Sequence, residues 1–278
     1  MSVWYSVLMG LLQGATEFLP ISSSAHLCLL QALLPAGPAG EEQLLLDVLL
    51  HLATLAAVCG AFWPDVRGAL LELWRLPARL FRRGGASDPE ARKLLRLLAL
   101  GTLPLVLTLP FHEQVERLCR STVFIGLALL GTGCLLFFGD RLPRGSKDTR
   151  GATAGDAVAV GLMQALAVLP GLSRSGCTVT GGLARGFSRS FAVRYSFLLS
   201  LPAILGASLL KTGEALRAGL DPRFFPVCAP GMAAALLSGC LSIRIVRILS
   251  DRGTFGRFRY YCWGLGLLVL LAGIFLKG

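Results

Sequence analysis

Apolar residues run through this chain in long blocks separated by short polar connections. Six blocks, at roughly 44–63, 95–111, 119–138, 195–212, 224–243 and 260–277, approach the ~20 residues a helix needs to cross a bilayer. Only helix satisfies the backbone hydrogen bonds of such a block within itself, so the pattern predicts six transmembrane helices. Two further apolar segments are broken. Residues 3–34 carry Gln13, Glu17, Pro20 and the run Ser22, Ser23, Ser24; residues 155–184 carry Gln164, Pro170, Ser173, Arg174 and Ser175. Each reads as short helix, break, short helix. At membrane depth such a break is tolerated only when it is buried in protein or lines a cavity. Both segments are therefore predicted to be re-entrant helical hairpins, and the fold class is an all-α integral membrane protein.

Composition agrees with that pattern. The 278 residues are 54% hydrophobic and 15% charged, against about 25% charged in an ordinary soluble domain. The N-terminus lacks a basic flank and its apolar stretch is interrupted by Gln13 and Glu17, so it is not expected to be a signal peptide. A net charge of +11 raises nucleic acid as a partner, but the placement of the charge argues for a membrane and no nucleic acid. Basic residues cluster in the 64–96 connection (Arg67, Arg75, Arg79, Arg82, Arg83, Arg92, Lys93, Arg96) and at Arg141, Arg144, Lys147 and Arg150. Others are Arg185, Arg189, Arg194, Arg244, Arg247, Arg252, Arg257 and Arg259. With six spans, two hairpins returning to their own side and both termini outside, all of these are cytoplasmic, as the positive-inside rule requires. An eight-span arrangement also groups the 64–96 and 139–150 connections, so charge alone does not fix the count. The eight cysteines form no CxxC pair and read as packing residues.

The two broken segments resemble one another. "GLLQGATEFLPISSS" (Gly10–Ser24) matches "GLMQALAVLPGLSRS" (Gly161–Ser175) when a one-residue gap aligns the Leu-Pro pairs, which sets Ser23 opposite Ser173. The expected organisation is one polytopic domain over 1–278 with inverted-topology repeats at approximately 1–140 and 151–278.

Polar groups inside apolar segments are costly and mark candidate chemistry. Glu17 is the costliest; Gln13, one helical turn earlier, shares its face. The alternative is a hairpin outside the membrane with Glu17 in water. Ser22, Ser23 and Ser24 follow a proline, so one or more is placed to cap the next helix, whose N-terminus suits phosphate; serine is also a nucleophile when a base is near. His26 is placed to be that base or a proton donor. In "PGLSRSGCT" (Pro170–Thr178), Arg174 forks onto phosphate oxygens, and a structural Arg174–Glu17 pair is the competing reading. His51 reads as lying near the outer end of its span and His112 as an interfacial loop residue. Together these groups suit phosphoanhydride hydrolysis. No Walker loop or HExxH motif occurs.

Along nearly its whole length the chain resembles the bacterial undecaprenyl pyrophosphate phosphatase family of the bacitracin-resistance type, through "QGATEFLPISSSAH", "PGLSRSGCTVTGGLARG", "FAVRYSFLLSLPAILGA" and "HLATLAAV". The resemblance implies hydrolysis of undecaprenyl pyrophosphate to the monophosphate carrier of cell-wall synthesis. It places the protein in the cytoplasmic membrane with its site on the outer, periplasmic side. It also implies a divalent cation, Mg2+ or Ca2+, six spans with two inverted hairpins, and often a homodimer. Carried over, the catalytic set is Glu17, Ser23, His26 and Arg174. Phosphate contacts fall to Gln13, Ser22, Ser24, Ser173, Arg174, Ser175 and Thr178, and metal binding to Glu17, with Gln13 as a second candidate. Two departures stand out: Ser24-Ala25-His26 where many relatives read Thr-Gly-His, and Gln13 where some carry glutamate. A transporter or lipid flippase is the rival reading, because broken helices in inverted repeats suit transport equally. A non-catalytic scaffold gives no reason for Glu17, His26 and Arg174 together.

Overall fold

The computed structural model describes residues 2–34, 40–81, 88–217 and 224–275. Arg82, Arg83 and the last two residues of the sixth predicted span lie outside the described residues. The fold is all-helical. The first half contains α1 (Val3–Phe18), α2 (Ser23–Leu33), α3 (Glu41–Ala61), α4 (Trp63–Phe81), α5 (Pro89–Thr102), α6 (His112–Cys119) and α7 (Thr122–Gly139). The second half contains α8 (Ala154–Leu166), α9 (Arg174–Ala184), α10 (Arg189–Arg217), α11 (Phe224–Asp251) and α12 (Phe258–Phe275).

Among the described residues six helical stretches are long and apolar enough to cross a membrane: Glu42–Ala61, Pro89–Cys119, Thr122–Gly139, Arg189–Gly213, Phe224–Asp251 and Phe255–Phe275. The chain is thus an all-α, multi-pass integral membrane protein. The second stretch is longer than the 95–111 block. Asp88 caps it, its Oδ1 accepting from the Glu90 and Ala91 amides at 2.9 and 3.2 Å. Pro104 and Pro110 then remove two donors, and Leu103–Phe111 winds as 3₁₀ helix before α6 resumes.

The 64–96 connection is not a loop. Trp63, Val66, Leu70, Leu73 and Trp74 recur at helical spacing, and α4 forms on them. Its buried Glu72 accepts from the Asp88 amide at 3.3 Å and pairs with Arg92 Nε at 3.5 Å. His51 is also displaced from expectation: it lies in the middle of α3, not near an end.

The halves interleave. Helix α1 packs along α11, α8 along α5 and the 3₁₀ stretch, α3 against α10, and α7 against α12. Small residues permit the closest contacts. A Cβ on Gly10 would lie 2.0 Å from Gly231 O, and one on Gly161 2.3 Å from Gly101 O. At one end of the bundle, ion pairs tie the basic connections together. Arg194 holds Asp65 through two nitrogens, Arg259 Nη1 meets Asp140 at 2.7 Å, and Asp156 receives Lys147 Nζ at 2.9 Å and Arg185 Nε at 2.8 Å. Asp156 also closes the capping box of α8 with Thr153. Replacing Asp156 by Ala removes the box and strands two cations, both of which can turn to water. A loss of about 2 kcal/mol is expected in detergent unfolding.

Candidate functional site

The two hairpin tips meet. In the first, α1 ends at Phe18 and α2 begins at Ser23. In the second, α8 ends at Leu166 and α9 begins at Arg174. Each return helix is capped by a serine: Ser22 Oγ accepts from the Ala25 amide at 3.4 Å, and Ser173 Oγ from the Gly176 amide at 3.2 Å. Each cap hydroxyl also meets the serine two residues on, Ser22 with Ser24 at 3.1 Å and Ser173 with Ser175 at 3.2 Å. By cap and partner, Ser22 corresponds to Ser173, so the Leu-Pro alignment is one residue out of register. The reason lies in the turns. Gly171 makes the left-handed turn of the second tip at φ 98°, whereas Ser22 makes it itself at φ 69° and needs one residue fewer. The residues between cap and partner are then Ser23 and Arg174, the first of each return helix.

Both point at one carboxylate. Glu17 Oε2 accepts from Ser23 Oγ at 2.7 Å and from Gln13 Nε2 at 3.0 Å; Oε1 accepts from Arg174 Nη2 at 2.6 Å. His51 Nε2 lies 4.0 Å from Oε2, with its Nδ1 2.7 Å from Asp47 O. Glu17 is only 7% exposed, so it is not a wetted surface acid. The Arg174–Glu17 pair exists, yet it leaves Arg174 Nη1 buried without a partner among the described residues; Gln13 Oε1 is in the same condition. An orphan donor and an orphan acceptor therefore flank the carboxylate. Buried polar atoms in that state are costly, and a polar ligand would relieve both.

Other expected residues build the tips. Ser175 Oγ donates to Leu19 O at 3.1 Å, stitching one tip to the other. Thr178 Oγ1 is 2.8 Å from Arg174 O and 2.5 Å from Ser196 Oγ, fixing the base of α9. Thr132 Oγ1 donates to Gly171 O at 2.9 Å and accepts from the Ser173 amide at 3.1 Å. His26 is not bonded to Ser23: its Nδ1 lies 2.7 Å from Ser22 O and its Nε2 2.7 Å from the Tyr261 hydroxyl. His112 is exposed where the 3₁₀ stretch gives way to α6. Sequence reading missed the approach of His51 and Tyr261. The polar His51 inside an apolar span was the available signal; for Tyr261, 235 residues from His26, there was none.

For a hard divalent cation the donors are oxygens, the Glu17 carboxylate and the orphan Gln13 Oε1. Among the described residues no group of three or more His, Cys, Asp or Glu could hold a metal. Two oxygen donors fit a cation that takes its remaining ligands from phosphate oxygens and water, as Mg2+ commonly does.

Comparison with known proteins follows the same residues. The family profile described as bacitracin resistance protein BacA matches residues 6–268. The undecaprenyl-diphosphatase of Halothermothrix orenii is 37% identical over 277 residues, spanning 99% of this chain and 100% of that protein. That of Syntrophotalea carbinolica is 39% identical over 267 residues, with 96% and 97% covered. That of Methanosphaera stadtmanae is 35% identical over 278 residues, with 98% of each covered.

Proposed function

Because the chain belongs to the bacitracin resistance protein BacA family, we propose that it hydrolyses undecaprenyl pyrophosphate to undecaprenyl phosphate and inorganic phosphate. On this reading it recycles the lipid carrier of peptidoglycan synthesis and confers bacitracin resistance. The observation that carries the reading is the pair of orphan atoms, Arg174 Nη1 and Gln13 Oε1, beside a carboxylate that already holds the hydroxyl of Ser23. The two tips are re-entrant hairpins of inverted repeats, 1–140 and 151–278, in the cytoplasmic membrane. The site opens to the outer side, and the polyprenyl tail stays in lipid.

In the reaction Arg174 keeps Nη2 on Glu17 and turns Nη1 to a terminal phosphate oxygen, where negative charge gathers in the transition state. Ser23 Oγ attacks the terminal phosphorus as its proton passes to Glu17 Oε2, and the bond from phosphorus to the bridging oxygen breaks, releasing the lipid monophosphate. Water then attacks the phosphoserine, giving its proton to His26 Nε2, and Ser23 leaves with the proton held on Glu17. Ser22 with Ser24 and Ser173 with Ser175 brace each tip from within, Ser175 joins the two through Leu19 O, and Thr178 ties α9 to Ser196. Glu17 and Gln13 Oε1 would hold the Mg2+ or Ca2+, which when bound supplies neutralising charge to the pyrophosphate.

The test is phosphate release from a polyprenyl pyrophosphate by the purified protein in detergent, with rapid-quench trapping. Phosphate release with a phosphorylated Ser23 is expected; release with no adduct at any quench time would replace the serine by water as nucleophile. Chelation with EDTA is expected to lower the rate at least about tenfold, with recovery on adding Mg2+ or Ca2+. Full activity in EDTA would remove the cation from the scheme.

A further inference from the structure

His26 is gripped at both ring nitrogens. A carbonyl only accepts, so the 2.7 Å contact from Nδ1 to Ser22 O places the ring proton on Nδ1. The lone pair of the neutral ring is then on Nε2, where the Tyr261 hydroxyl, 2.7 Å away, donates. The two rings lie within 10° of parallel, centroids 5.7 Å apart. The next residue of α12 adds a second tether, Cys262 Sγ donating to Pro20 O at 3.5 Å. Successive side chains of α12 therefore hold the return arm and the turn of the first hairpin. One hydrogen bond lets an imidazole pivot about it, whereas two on opposite nitrogens fix the plane of the ring and the direction of its lone pair.

We propose that Tyr261 is the positioning residue of His26, holding Nε2 as the working nitrogen until substrate and water take the place of the hydroxyl. This rests on the role given to His26 above. Tyr261→Phe keeps the ring and removes only the hydroxyl.

In the full-length protein, kcat for a polyprenyl pyrophosphate is expected to fall about tenfold in Y261F while KM stays within about twofold. The H26Q/Y261F double variant is expected to be no slower than H26Q, because Tyr261 acts only through His26. Wild-type kcat in Y261F with H26Q impaired would overturn the role of Tyr261 and leave that of His26 standing. Wild-type kcat in H26Q would overturn the role of His26 itself, and that of Tyr261 with it. A further drop from H26Q to the double variant would show that Tyr261 acts elsewhere and overturn the proposal. A second readout is independent of turnover. The chain has three histidines, so 15N-histidine spectra are readily assigned by variant. In Y261F the His26 Nε2 resonance should move to the position of an imidazole nitrogen lacking a hydrogen bond; an unmoved resonance would overturn the proposal.

Discussion

Replacing Glu17 by Ala is expected to reduce phosphate release at least about a thousandfold. The carboxylate is the one group that holds Ser23, Gln13 and Arg174 at once. Without it the Ser23 hydroxyl loses the acceptor for its proton, and Arg174 loses the anchor that aims Nη1. The variant also leaves a guanidinium, 20% exposed in its side chain, without its counter-ion. Breaking a buried pair from one side costs about 3–5 kcal/mol, so Ala alone confuses lost chemistry with lost fold. Glu17→Gln is the milder change. It keeps the size and an acceptor oxygen for Arg174 Nη2, while its amide nitrogen replaces the oxygen that accepts from Ser23 and Gln13 and cannot take the Ser23 proton. It is expected to elute as a monodisperse, normally folded protein with phosphate release still reduced by about a hundredfold or more. Wild-type turnover by the glutamine variant would show that the carboxylate charge has no part in the reaction.

The second large effect is on folding. Gly14 faces α11 so closely that a Cβ would lie 2.1 Å from Ser238 Oγ, 2.3 Å from Ala235 O and 2.7 Å from Gly239 N. Two of those atoms are backbone, so no rotamer change relieves the clash and the helices must part. The interface is reciprocal: a Cβ on Gly231 would lie 2.2 Å from Ser6 Oγ and 2.4 Å from Ser6 O. Overpacking a core commonly costs about 1–3 kcal/mol where side chains give way; here the backbone must move along the whole α1–α11 contact. Gly14→Leu is expected to yield no stably folded protein in detergent, and Gly14→Ala to lower the thermal midpoint clearly. Gly264→Ala is the control, because that helical position has nothing within 4 Å of a new Cβ; it should be neutral or slightly stabilising. An unchanged midpoint in Gly14→Ala would mean that α1 does not seat on α11 this closely.

The spans and the two broken segments were legible because periodicity and hydropathy are local properties. The pairing of Gln13 with Glu17 was legible for the same reason, being one helical turn. The Arg174–Glu17 pair joins two distant tips and was foreseen only as the competing reading, from the cost of burying charge; the contact of Ser23 with Glu17 has no local mark, and the base expected for the serine was His26. Three features were read differently. In helix α4 the arginines dominate the polar pattern of the 64–96 connection, although its tryptophans and leucines carry the helical period. His51 lies mid-helix because α3 begins at Glu41, ahead of the apolar block at 44–63, and nothing local tells which face of an apolar span looks inward. The register between the tips slipped by one because a left-handed serine is rare and the sequence has no mark for φ. Tyr261 sits among other aromatics on an apolar helix, and only tertiary contact distinguishes it from Tyr260.

The seating of α1 on α11 also sets an order of events during synthesis. The hydroxyl of Ser6 and the carbonyl of Cys228 that it meets are 222 residues apart. When the ribosome has made α1 and α2, the groove that receives them does not yet exist, and Glu17 has neither Arg174 nor a packed surface around it. A hairpin that carries an unpaired carboxylate is poorly held in lipid, so α1 and α2 are expected to seat only after α9 and α11 have been made. Glu17 is thus among the first groups made and the last to be enclosed, and a chain cut short before α11 leaves the α1–α2 hairpin unhoused.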